Sequence, residues 1–331
     1  MKTLGSSREL VSVGIRMNLN VLNASTACRF DIGLPSEFDY EVYVNHPGNR
    51  DLASFDEARS RHHYKNCGMA EGRICSAVKG RRDFVGLVPA GPAILEIGPF
   101  FSPAFTRPDA NVFYLDALST EAMKKRAGTI NGARIDSIPE IDFVWQGERY
   151  TDCINRKFSV IYSSHNIEHQ PCLVTYMHNL ESVLEEDGAV FLAVPDKRYC
   201  FDHFFPETSL VDVIQAWIEK RKRHALKDVL EHRFFFAHND PVRHWQGDHG
   251  VNRAILPLQT EQATSFLAEL ERVISSDDYA DVHAWKFTPS TFHAVLENLF
   301  NLKFVNLKVT RLYKTVQNSN EFYVVLVRGR A

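Results

Sequence analysis

Gly98 and Asp116 are the residues whose types and spacing most directly suggest chemistry. Gly98 ends the apolar run 93–97 (AILEI), and Asp116 ends the next run, 111–115 (NVFYL), 18 residues beyond the glycine. In an open parallel sheet, ligands bind beyond the carboxyl ends of the strands, where the strand order reverses. A glycine there lets the backbone approach a ligand closely, and a carboxylate after the second strand can accept both hydroxyls of a ribose. The pair points to a nucleoside-containing cofactor without saying which one. An exposed aspartate on an ordinary strand–helix turn would look the same. The loop after the glycine narrows the choice. It reads Gly98-Pro99-Phe100-Phe101-Ser102-Pro103, so the G-x-G-x-x-G fingerprint is absent. Two prolines remove N–H donors where a pyrophosphate would need them. NAD, FAD and nucleoside triphosphates fit such a loop poorly, whereas S-adenosyl-L-methionine, a ribonucleoside without phosphate, fits it.

Histidines supply the second group. His165-Asn166-Ile167-Glu168-His169 matches the H-x-x-E-H pattern of certain zinc peptidases. That pattern works only when both histidines face the metal from one helix. Here a strand precedes it directly, and Pro171 places the helix start near residue 170, so a peptidase centre is not expected. Ser163, Ser164 and His165 then border the cofactor at the end of a strand, and His169 orients the loop. Transfer of a methyl group to an alcohol benefits from a general base with a pKa near 7. His165, His203 and Asp196 are the catalytic candidates. His244 and His249 are further candidates, placed with the substrate contacts. Asp196, Lys197 and Arg198 leave the fifth strand at the crevice, where they can meet a polar or anionic substrate; structural ion pairs of the two cations with acids of the insertion would use them equally well. His232, His238, Asp240, His244, Asp248 and His249 surround Trp245 in irregular spacing without a thiolate, so lid histidines are expected there and no metal site.

The elements that must position these residues follow from hydrophobic periodicity. Apolar runs at 93–97, 111–115, 143–145, 158–162 and 189–194 are short and rich in β-branched and aromatic residues, as strands buried on both faces are. Between the last two, Leu173, Met177, Leu180 and Leu184 form one helical stripe within 171–186, with Pro171 in the first turn and Gly188 just past the end. Strands alternating with helices mean βαβ units and a parallel sheet. The expected fold is α/β, a doubly wound Rossmann-like sheet. The tail departs from that alternation. Thr288-Pro289 caps a helix carrying Phe292, Val295, Leu296 and Leu299, and strand-like runs at 303–312 and 321–328 follow, joined by a connector too short for anything but an antiparallel pair. A helical insertion spans about 203–285, with apolar positions at Leu210, Ile214, Trp217 and Ile218.

Composition bounds the class. The chain has 331 residues, 44% hydrophobic and 24% charged, with a net charge of −3. Disorder is excluded, and no strongly basic balance supports nucleic-acid binding. No apolar run approaches the roughly 20 residues of a membrane helix. Six cysteines, at 28, 67, 75, 153, 172 and 200, show no C-x-x-C spacing, and the first residues carry no apolar secretory core. A cytoplasmic enzyme with reduced thiols is expected. Its oligomeric state is left open.

Four segments in order, ILEIG at 94–98, YLD at 114–116, FSVIYSSHNIEHQP at 158–171 and VLEEDGAVFLAVPDKRYCFDHF at 183–204, together with the closing hairpin, resemble class I S-adenosylmethionine-dependent methyltransferases. The similarity spans roughly 84–205 and 286–329 and is closest to a bacterial group with LEIGP, SHxIEH and PDKRxxFDHF segments. It implies that Glu96 and the loop beginning at Gly98 and Pro99 contact the methionine end of the cofactor. It implies that Asp116 holds the ribose, and that Gln146, beside Gly147, stands where the family's adenine-binding aspartate usually lies. Many members carry three glycines in the first loop; here only Gly98 remains. The stretch 43–73 resembles a short helical segment often attached to bacterial glycosyltransferases, which turns the expected acceptor toward saccharides. The expected organisation is a small helical module at 1–80 and a methyltransferase domain at 81–331. The expected activity is methyl transfer, by preference O-methylation, to a small-molecule or carbohydrate-type acceptor. Two rivals are a scaffold that has kept the fold and lost the cofactor, and a sugar-modifying NAD-dependent enzyme. The second is disfavoured by the proline-bearing loop, the antiparallel finish and the lack of a clear Tyr-x-x-x-Lys pair.

Overall fold

The computed structural model describes residues 38–147, 149–276 and 279–329. Residues 38–80 hold two short helices, α1 (Tyr40–Asn45) and α2 (Glu57–His63), each with an aspartate N-cap, Asp39 and Asp56, accepting from a backbone N–H of the first turn. They close around their own aromatic cluster of Phe38, Tyr43, Leu52 and Tyr64. The first 37 positions of the module expected at 1–80, Cys28 among them, lie outside the described residues.

A short helix, α3 (Arg81–Val85), leads into the sheet. Its strands are β1 (Ile94–Ile97), β2 (Val112–Asp116), β3 (Phe143–Val144), β4 (Phe158–Ser164) and β5 (Leu184–Pro195), with α4 (Thr120–Ala127) and α5 (Leu173–Val183) among the connections. The insertion contributes α6 (Leu210–Ile218), α7 (Leu226–Phe234), α8 (Pro241–Trp245) and α9 (Thr260–Ser275). The chain then returns through α10 (Pro289–Asn301) to β6 (Leu307–Tyr313) and β7 (Glu321–Arg328).

The seven strands run in the order β3-β2-β1-β4-β5-β7-β6. All pairs from β3 to β5 are parallel, and β7 enters antiparallel between β5 and β6. The chain lays down β1, β2 and β3 in one direction and β4 and β5 in the other. The reversal falls between β1 and β4, where the sheet opens a crevice. β1 is buried along its whole length, and β5 is buried from Gly188 to its end. Apolar side chains of the central strands and of α5 and α10 form one core on one face of the sheet, and a second core with Phe84, Phe191 and Tyr323 fills the other. In α10, Thr288 accepts from the Thr291 N–H, Pro289 occupies the first turn, and Phe292, Val295, Leu296 and Leu299 are buried at helical spacing.

Two expected boundaries shift. The helix expected at 171–186 occupies only Leu173–Val183, and Leu184 already has extended backbone and pairs with Phe158. Gly188 therefore lies within β5 instead of closing the helix. A Cβ there would meet Leu184 Cδ1 at 2.7 Å, so the strand needs the glycine for packing. In the insertion, Val213 and Ala216 are the wholly buried positions of α6, while Ile218, expected on the inner stripe, is 71% exposed. No helix among the described residues is long and apolar enough to cross a membrane.

Candidate active site

Glu96 sits in β1 with its side chain buried, and its two carboxylate oxygens accept the N–H groups of Ala104 (2.7 Å) and Phe105 (3.1 Å). Burial raises its pKa to about 7 against the pull of those two hydrogen bonds. The carboxylate fastens the far end of the Gly98 loop, and Glu96 is not among the residues that line the cleft. Gly98 has φ +70°, and a Cβ on it would stand 3.3 Å from Asn166 Nδ2, so only glycine suits this close crossing of two loops. Pro99 is buried and does not line the crevice.

A cleft of about 970 Å³ covers the carboxyl ends of β1, β2 and β4. Gly98, Asp116, Gln146, Gly147 and His165 all line it, so five of the expected cofactor positions meet in one place. Asp116 Oδ1 accepts the Leu118 N–H (2.9 Å), and burial raises its pKa. The Trp145 N–H donates to the Asp116 carbonyl (2.8 Å), drawing Gln146 and Gly147 to the same rim. Leu115, Met123 and Tyr150 add apolar walls, and the size and mixed lining suit a nucleoside-sized ligand. Lys220, Arg221 and Lys222, from the end of α6, also line the cleft.

His165 leaves β4 with φ +48°, a conformation costly for a residue with a Cβ and one that clusters at functional sites. Its N–H donates to the Ala193 carbonyl (3.0 Å), and its Nε2 lies 2.9 Å from Glu321 Oε2. Glu321 also receives the Arg81 guanidinium and the Tyr323 hydroxyl. Burial would push the Glu321 pKa up, but the hydrogen bonds from His165 and Arg81 outweigh it and bring it down to about 2. A permanent anion thus holds one edge of the imidazole.

Other expected site residues are placed elsewhere. The Ser163 hydroxyl is buried and accepts from the Tyr176 hydroxyl (3.0 Å), and Ser164 does not line the cleft. Asp196, expected to be catalytic, is fully buried: it caps the turn at Lys197–Tyr199 and binds the Arg198 guanidinium and the Thr315 hydroxyl, each at 2.6 Å. Lys197, expected to meet substrate, donates from Nζ to the His203 carbonyl (2.8 Å), and burial lowers its pKa. Arg198 is committed to Asp196, two residues earlier in the same turn, and not to an acid of the insertion. His203, His244 and His249 gather in a stacked cluster, with 3.8 Å between the His203 and His249 rings, and none of the three lines the cleft. The run 234–236 is less enclosed than a packed lid core: Phe234 meets Phe266 at 5.1 Å, but Phe236 is exposed.

Sequence reasoning missed Glu321, which looks like an ordinary first residue of a strand, and the Lys220–Lys222 cations, whose signal was the charge run at 219–223. It also missed the packing of the returning chain on the His165 loop. There the N–H of Ala284 donates to the Glu168 carbonyl (2.7 Å) and the Trp285 indole N–H to the Gln170 carbonyl (2.6 Å).

No protein-family model matches the chain, and no curated protein is similar to it. Several solved structures share part of its architecture. The CcbJ methyltransferase from Streptomyces caelestis is similar over 75% of this chain and 88% of its own, at 10% identity and a TM-score of 0.38. An S-adenosylmethionine-dependent methyltransferase from Clostridium acetobutylicum is similar over 81% and 97%, at 12% identity and a TM-score of 0.37. A Rhodobacter sphaeroides structure described as a Zn-dependent alcohol dehydrogenase is similar over 74% and 87%, at 13% identity and a TM-score of 0.39. The functional reading rests on the chain's own strand order and cleft.

Proposed function

We propose that this protein binds S-adenosyl-L-methionine and transfers its methyl group to a hydroxyl of a small-molecule or carbohydrate-type acceptor. One observation carries the reading: a nucleoside-sized cleft lies at the β1–β4 reversal of a sheet closed by an antiparallel β7, and a proline-bearing loop flanks it with Asp116 on the rim. That loop has few N–H donors for a pyrophosphate, whereas Asp116 suits a ribose and Gln146 can hydrogen-bond an adenine.

The bound cofactor would supply an activated methyl group on a sulfonium, a good leaving group. The chain would supply orientation and a proton acceptor. Glu321 holds His165 by Nε2, which favours the tautomer with the proton on that nitrogen and leaves Nδ1, 3.7 Å from Glu168 Oε1, as the nitrogen that would take the proton of an acceptor hydroxyl. Asn166 and His169 continue the same wall of the cleft. The α6 cations at the cleft suit an acceptor that carries negative charge. We read the described part of the amino-terminal module, 38–80, as separate from a catalytic domain that begins at 81, with the insertion shaping the acceptor side.

Calorimetric titration with S-adenosylhomocysteine, with NAD in parallel, tests the proposal. Micromolar binding of the first alone is the expected result. Binding of neither would overturn it in favour of a scaffold that has lost the cofactor, and binding of NAD alone would favour the dehydrogenase rival.

A further inference from the structure

Behind the His165 loop lies a buried carboxylate that the chain leaves without a partner. Glu168 is 0% exposed, and neither side-chain oxygen receives a hydrogen bond among the described residues. Leaving a buried carboxylate unpaired is costly, and folds normally pair such a charge or place it on a metal. Three imidazole nitrogens face the same oxygen, Oε1: His165 Nδ1 and His169 Nε2, each at 3.7 Å, and His283 Nε2 at 3.8 Å. All three separations exceed hydrogen-bond length. They lie a few tenths of an ångström above the ~3.3 Å edge of a tetrahedron with ~2.0 Å bonds.

The far side of the His283 ring is held by a second carboxylate, with Nδ1 2.5 Å from Asp202 Oδ2. His169 Nδ1 lies 3.0 Å from Asp281 Oδ1, an ion-pair contact without hydrogen-bond geometry. A carboxylate on one imidazole nitrogen fixes the tautomer and aims the other nitrogen's lone pair, as around metal-bound histidines. Here the aimed His283 Nε2 converges on the orphaned carboxylate with His169 Nε2, and with His165 Nδ1, whose other nitrogen is on Glu321. Backbone hydrogen bonds lock the arrangement, since the Glu168 carbonyl accepts from Ala284, the residue next to His283.

We propose that Glu168, His169 and His283 bind a divalent transition-metal ion of the zinc type. Two imidazoles and one carboxylate are borderline ligands that suit zinc better than magnesium or calcium. Three protein ligands leave an open position, as in catalytic zinc sites. His169 and Asp281 also line the cleft, so the ion would lie against it. There it could take an acceptor oxygen and ease loss of its proton. That use rests on the methyl-transfer reading; metal binding by itself does not. The site is also distinct from the peptidase pattern, because its third ligand comes from the end of the insertion and not from one helix.

The test uses the full chain, stripped with a chelator and titrated with Co²⁺ in the absence of any cofactor. The visible d–d bands of cobalt are followed, and Zn²⁺ is added to displace it. One equivalent of Co²⁺ per chain, displaced by Zn²⁺, is expected. Glu168→Gln and His283→Gln should each weaken binding at least 100-fold, and Asp202→Asn about tenfold. His249→Ala, in the separate histidine cluster, should leave it unchanged. Added metal should raise the melting temperature of the metal-free parent and leave that of metal-free Glu168→Gln unchanged. Should that variant fail to fold, His283→Gln and Asp202→Asn carry the test. No cobalt bands in the folded parent, unchanged affinity in the folded ligand variants, or loss on His249→Ala would overturn the proposal. Failure to bind S-adenosylhomocysteine would leave this outcome unaffected.

Discussion

Replacing Glu321 with glutamine tests the electrostatic arrangement behind His165. The side chain is 6% exposed, so solvent screens its interactions little. Its pKa falls from an ordinary 4.5 to about 2, because hydrogen bonds from His165 and Arg81 outweigh the cost of burial. A carboxyl group that binds its proton more weakly in the folded chain than in the unfolded one stabilises the fold wherever the unfolded group is ionised. The gain is complete above about pH 5 and disappears as the pH falls through 2. Each tenfold change in proton affinity is worth about 1.4 kcal/mol, so the ionised group contributes about 3 kcal/mol at pH 7 and about 1 kcal/mol at pH 3. Glutamine keeps the shape and removes the charge. Urea unfolding of parent and variant at both pH values should therefore show a stability difference of about 3 kcal/mol at pH 7 that falls to less than half of that at pH 3. An equal difference at both pH values would mean that lost geometry, not charge, is responsible. A difference below about 1 kcal/mol at pH 7 would refute the assigned ion pairing.

Two further predictions concern the cleft. Asp116→Ala should weaken S-adenosylhomocysteine at least tenfold, about 1.4 kcal/mol, by calorimetry; unchanged affinity would place the ribose elsewhere. His165→Ala should lower turnover by about 10²-fold or more with any accepted substrate, while His203→Ala, outside the cleft, should not. Equal effects in a steady-state assay would contradict the separation of the two histidines.

The sheet was legible because its central strands, β1, β4 and β5 from Gly188 onward, are buried on both faces and so read as plain apolar runs. Gly98 and Asp116 were legible for the same reason, since each immediately follows such a run. Leu184 misled because a buried leucine continues a helical stripe equally well when it is the first residue of a strand; only its backbone, extended to pair with Phe158, separates the two. At Asp196, Lys197 and Arg198 the residue types suited catalysis, but their charges are satisfied within a few residues by a tight turn, leaving nothing for a ligand. Glu321 and the His283–Asp202 pair were hidden for the opposite reason. Their partners lie 156 and 81 residues away, and nothing local marks either of them. The role of His169 depended on the same missing information, because the returning chain that completes its surroundings follows an insertion with no clean pattern.

The position of β7 also has a kinetic consequence. Arg81, His165 and Glu321 are joined across 240 and 156 residues of chain, and the last of them arrives only when β7 has slotted between β5 and β6. Contacts of such sequence separation require the loop-closure entropy to be met first and so form slowly. A refolding chain can recover its helices, and even the β1–β4 reversal, while His165 still lacks its anion. Recovery of catalysis should then lag recovery of helical circular dichroism, making turnover a reporter of the last strand to dock.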